Sequence, residues 1–269
     1  MSNSWNSYSH ATASLPVAQS PTERVGLIWL VLAALVTMLV WQMPFGNYLL
    51  YPFTILATWF HEMGHGLAAL LTGGHFDRLL IFPDGSGVAY HSAYGAETFL
   101  WGRLREAVVA AGGPLGPPLA GSVLILSSRR FATAHSCLLL MGALLLLSAL
   151  LWVRSLFGLI AISLLGLLIT AIALRAPRWV QALAVQLLGV QACISTFHQI
   201  DYLFTPGGVI GGQLMLSDSS QIAKNLLLPY WFWGGVMALT SLLLLFFSLY
   251  ITYRLSYCPQ SAGLASGEP

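Results

Sequence analysis

The sequence predicts an all-α polytopic membrane protein of about seven transmembrane helices, with a small β-hairpin between the second and third. Three observations carry that expectation. The 269 residues are 57% hydrophobic and only 7% charged, with a mean hydropathy of +0.76, well beyond a soluble globular domain. Apolar runs near the ~20 residues needed to cross a bilayer recur along the chain. Between two of them, "RLLIFPDGSGVAYHS" sets two short β-prone runs around a turn-rich Pro-Asp-Gly-Ser-Gly cluster.

Taken in order, residues 1–23 are Ser/Thr-rich and without hydrophobic period, so they read as a disordered tail. The apolar run after Arg24 is long enough to span, so it reads as a first helix rather than as part of a signal peptide. The expected spans are 25–43, 49–71, 104–126, 132–152, 156–174, 180–204 and 229–253. Arg129 and Arg130, Arg154, and Arg175 with Pro177 and Arg178 punctuate the middle runs, as short loops between antiparallel helices do. Residues 256–269 read as a second polar tail. Alternate loops carry Arg24, Arg78, Arg103, Arg105, Arg154 and Lys224 against Arg129, Arg130, Arg175, Arg178 and Arg254. Six cations against five give no orientation.

Two connections are longer than the rest. One, about 73–101, holds the expected hairpin at about 77–92. The other, about 205–228, reads as a glycine-rich loop followed by a short helix that Pro229 bends into the last span. Both fall on one side of the membrane, the side on which the second helix ends.

The net charge of +2 comes from scattered cations, which excludes a basic surface for nucleic acid. Cys137, Cys193 and Cys258 are far apart and form no CxxC pair, so neither a disulfide framework nor a thiolate zinc site is expected.

Against this background "FHEMGHG", 60–66, stands out. At 3.6 residues per turn His61 and His65 share one helical face, with Glu62 close beside it. Zinc accepts imidazole nitrogen, and the H-E-x-x-H spacing lets both rings reach one ion while the glutamate reaches a metal-bound water as general base. Incidental polar residues on a bundle-facing stripe are the bland alternative. Each ionisable group in a span costs a few kcal/mol, however, so three together call for a shared purpose. Gly64 and Gly66 admit a close neighbour beside the histidines.

These residues resemble a known family. "HEMGHGLAALLTGG" is similar to the metal helix of the site-2 protease family of intramembrane zinc metallopeptidases. "AAGGPLGPPLAG", 110–121, is similar to the small-residue stretch of that family's next helix, and "FPDGSGVAYH" to a compact bacterial branch without PDZ domains. The Asn-Pro-x-Pro-x-x-x-Asp-Gly element of better-known members is absent; "LSDSSQIAK" resembles the compact branch's substitute. The resemblance implies a metallopeptidase domain over 24–255 in a bacterial inner membrane. It implies Zn2+ held by His61, His65 and Asp218, Glu62 as catalytic base, and a transmembrane or membrane-adjacent protein as substrate.

The third ligand has a rival in Asp201, which stands three residues after His198 near the end of the sixth span. Asp218 has a bland reading as a helix cap, in a pattern like a capping box with Gln221. The hairpin reads either as a sheet edge that binds an unwound substrate or as a surface cap. His75 and His91, in the same connection, read as solvated loop residues, with a role beside the metal as the alternative. At the level of function, the rival is a non-catalytic membrane scaffold keeping the protease fold, which an intact Glu62 disfavours. A metal transporter would carry a relay of ionisable groups on several spans, and the other runs nearly lack them.

Overall fold

The long aliphatic runs satisfy their backbone groups internally by winding into helices, as a chain in hydrocarbon must. The computed structural model describes residues 27–93 and 99–254; the tails expected at 1–23 and 256–269 lie outside them. The order is α1 (Leu27–Trp41), α2 (Gly46–Leu71), β1 (His75–Ile81), β2 (Gly87–Ser92), α3 (Phe99–Ser127), α4 (Phe131–Leu151), α5 (Leu156–Arg175), α6 (Arg178–His198), α7 (Ile200–Leu203), β3 (Gly207–Ile210), β4 (Gln213–Leu216), α8 (Asp218–Asn225) and α9 (Tyr230–Arg254).

Where the sequence counts seven spans, five helices among the described residues (α3, α4, α5, α6 and α9) are long and apolar enough to cross a membrane. The count is six if α1 and α2, which pass only together, form one bent span. They meet at 115°. Pro44 lies in the break, and the chain doubles back so tightly that a Cβ on Gly46 would collide with the Val40 carbonyl. The sixth run stops at His198 rather than 204, and α7 follows as a separate turn.

α2 is the hub. Its Gly64 lies against Gly112 of α3, and Gly116 of α3 lies against the Phe60 carbonyl; a Cβ at any of the three would strike the partner's backbone. Small residues thus bring the two helix backbones together, the kind of close packing that holds helices where lipid supplies no hydrophobic drive. Its opposite side buries Ile55, Leu56, Trp59 and Met63 against Leu79 and Ile81 of β1 and against α4 and α5. The Trp59 indole donates to the Ser148 hydroxyl at 2.8 Å.

The first hairpin pairs β1 with β2 antiparallel, from His75 opposite Ser92 to Ile81 opposite Gly87. Its turn contains Gly85 at φ 88, and Asp84 accepts hydrogen bonds from the Ser86 amide and hydroxyl. The outer edge of β1 is occupied: Leu79 donates to Trp152 and accepts from Arg154 at 2.8 and 2.9 Å, and Ser155 bonds both backbone groups of Ile81. That leaves β2 as the strand whose outer edge lies away from residues 152–155.

The second long connection departs from the expected loop. Residues 207–216 form an antiparallel hairpin, β3 with β4, closed by Gly211 and Gly212 at φ 56 and 80. Two consecutive left-handed glycines between apolar runs are the signature of a type I′ turn. Four candidate spans separate the two hairpins, and Gly211 of the second sits against the Phe82 ring of the first.

Candidate metal centre

The site forms where α2, α3 and α8 meet beneath the two hairpins. His61 Nε2 lies 3.1 Å from Asp218 Oδ2 and His65 Nε2 lies 3.3 Å from Asp218 Oδ1. The two imidazole rings stand edge-on, with centroids 4.9 Å apart. One ligand atom from each of the three residues lies within 4.8 Å of the other two.

Each side chain is set by its element. The i, i+4 spacing on α2 aims both rings at α3, and there Gly113 leaves room for them: a Cβ at 113 would run into His65 Nε2 and Cε1 and His61 Nε2. His65 Nδ1 lies 2.8 Å from the Val109 carbonyl. Donation there leaves Nε2 as the free lone pair, facing Asp218. Glu62, 6% exposed, packs against Gly87, where a Cβ would come within 2.8 Å of its Cγ, and it opens on the same cavity as the histidines.

Asp218 is delivered from far along the chain. Ser217, not Asp218, is the N-cap of α8: its hydroxyl oxygen accepts the Ser220 amide and its hydroxyl donates to the Thr205 carbonyl at 2.6 Å. The capping reading of Asp218 is therefore displaced by one residue, which frees its carboxylate to face the histidines. Ser219 donates to the Leu203 carbonyl at 2.7 Å. At the other end of α8, Arg103 of α3 donates to the carbonyls of Asn225 at 2.8 Å and Lys224 at 3.4 Å, cationic donors on orphan C-terminal carbonyls. Burial opposes ionisation of Asp218, and only positive charge on the side of His65 and His61 offsets it and holds the carboxyl below its usual range. Its Oδ2 is buried without a hydrogen-bond partner despite lying near His61. That geometry suits a cation between the groups better than a hydrogen bond between them.

The cavity above holds about 240 Å3. Gly85 to Ala89 form one wall, α3 residues Glu106, Val109 and Ala110 another, and Gln199, Tyr202, Ile210, Met215 and Leu216 the third. His91 also lines it; burial pushes its imidazole below the ordinary range, and its Nδ1 has no hydrogen-bond partner. His75 instead bonds Asp77 on the exposed side of the hairpin, at 2.9 Å. Asp201 is exposed on α7 and stands outside the His61–His65–Asp218 group. His198 stacks on Trp41, centroids 4.2 Å apart. Tyr202 and Gln199 border the site with no motif to announce them; only the fold brings them there.

A family model described as Peptidase M50B-like matches residues 27–248. No curated protein and no solved structure matches the chain.

Proposed function

The chain belongs to the Peptidase M50B-like family, and from that premise we propose that it is an intramembrane zinc metalloprotease acting on transmembrane or membrane-adjacent proteins in a bacterial inner membrane. The observation that carries this reading is the convergence of His61, His65 and Asp218 on one point, with Glu62 opening on the same cavity. Two imidazoles and a carboxylate are a zinc donor set that leaves a position open. The unpartnered Asp218 Oδ2 and the space kept clear at Gly113 fit an ion there. Bound zinc supplies a water acidified toward pKa ~7 and a polarised carbonyl.

The remaining work falls to the chain. Glu62 takes the proton of the attacking water and returns it to the leaving amine. Its place in a buried cavity, off the ligand group, keeps it free for that exchange. A helical substrate has its carbonyls tied up in its own hydrogen bonds and must unwind before attack. Because β1 is occupied on its outer side, β2 is the strand with an edge to offer, and its Gly87 to Ala89 line the cavity. An unwound segment laid along that edge by strand addition would bring its carbonyls over Glu62.

The test compares membrane proteomes of cells carrying the native chain and Glu62→Gln. A membrane peptide trimmed only by the native chain is the expected result. Identical profiles would make the cleft a helix-binding scaffold.

A further inference from the structure

Hydrolysis of a peptide bond drives negative charge onto the scissile carbonyl oxygen, and a hydrogen-bond donor aimed at that oxygen stabilises the transition state more than the ground state. Several cavity donors are already committed. The Thr58 hydroxyl donates to the Gly85 carbonyl and the Ser86 hydroxyl to Asp84. That leaves His91, Gln199, Tyr202 and Gln221 along the lining. His91 has as its electrostatic neighbours Glu106 and Arg105 of α3, Asp77 of β1 and, of the four residues of the centre, His65 alone. Gln221 lies three residues beyond Asp218 on α8.

Tyr202 is differently placed. With His61 and Gln199 it lines both the main cavity and a smaller one behind His61, and its phenol lies within electrostatic range of both Asp218 and Glu62. The hydroxyl donates to the Leu216 carbonyl at 3.4 Å, long for an O–H···O bond, so its proton can be redirected at small cost.

We propose, on the protease reading above, that Tyr202 is a catalytic residue whose hydroxyl donates to the scissile carbonyl oxygen as charge develops there. In the balanced step, the water oxygen bonds to the carbonyl carbon, the C=O π pair moves to the oxygen that Tyr202 faces, and the water proton goes to Glu62. The C–N bond then breaks, nitrogen takes the proton from Glu62, and the π pair returns. Tyr202 keeps its own proton throughout. A merely structural role would run through the bond to Leu216, two residues before Asp218, and would surface as weakened zinc binding.

The experiment uses the full-length chain in detergent micelles, with a dye-labelled transmembrane peptide as substrate and a phosphinic peptide of the same sequence as tetrahedral mimic. Tyr202→Phe is expected to keep the native zinc content and KM while kcat falls ~100-fold. Its affinity for the phosphinic peptide should fall by a similar factor. Binding of the uncleaved substrate peptide, measured with and without Tyr202→Phe in a Glu62→Gln background, should not change. An unchanged kcat in Tyr202→Phe, a loss of zinc that accounts for the fall, or a comparable loss carried by Gln199→Ala alone overturns the assignment. A native chain that neither holds zinc nor cleaves removes the protease reading and this inference with it. A cleaving native chain beside an equally active Tyr202→Phe overturns the inference alone.

Discussion

The two halves of the candidate centre are built in opposite ways. The His61–Glu62–His65 half is local: one turn of one helix fixes the spacing, and the glycines of α2 and α3 lock that turn against its neighbour. The Asp218 half is assembled at long range. Four spans intervene, and a helix of only eight residues is held by Ser217 and Ser219 at its start and Arg103 at its end. Rigid packing sets one half and directional hydrogen bonds set the other. Beyond the ligands themselves, damage to the packing that supports the first half should weaken the centre more than damage to the hydrogen bonds that hold the second.

The largest effect is expected from His61→Ala/His65→Ala, which leaves Asp218 without partners; zinc by elemental analysis and cleavage should both vanish. Retained zinc would show that the helical half is not the anchor. Gly113→Ala comes next. The added methyl meets both imidazoles, and overpacking of this kind costs about 3 kcal/mol, or roughly 100-fold in zinc affinity by chelator competition. Arg103→Ala removes the donors to the carbonyls of Asn225 and Lys224. At about 1.5 kcal/mol for a charged hydrogen bond, zinc affinity should fall roughly tenfold while the α2–α3 packing is untouched. The smallest effect is expected from Ser217→Ala, where loss of the cap costs about 1 kcal/mol and should appear as a lower thermal midpoint. If Ser217→Ala weakened zinc more than Gly113→Ala, the division into rigid and adjustable halves would be reversed.

The same contrast explains what the sequence made legible. His61, Glu62 and His65 are readable because a helix converts spacing directly into geometry, and the spanning runs are readable because lipid demands length and apolarity. The bend between α1 and α2 was not, because run length carries no direction; only Pro44 hinted at it. The β3–β4 hairpin carries a local signal in Gly211-Gly212 between apolar runs, but the further glycines of 207–212 make the same stretch resemble an irregular loop. That Ser217 and not Asp218 caps α8 turns on one residue of register, which pattern alone does not resolve. Tyr202, Gln199 and the Val109 carbonyl reach the site through tertiary packing, so no spacing in the sequence announces them.

The central question is whether the two distant halves hold one ion together. The most direct measurement is zinc per chain in purified native protein, Asp218→Asn and Asp201→Asn, with folding checked by thermal melting; Asn at 218 changes the carboxylate but leaves the Ser217 cap in place. The expected result is about one zinc per chain in the native protein, the same in Asp201→Asn, and loss of the metal from a still-folded Asp218→Asn. Full zinc in Asp218→Asn with depletion in Asp201→Asn would contradict it and give the third ligand position to the exposed carboxylate on α7.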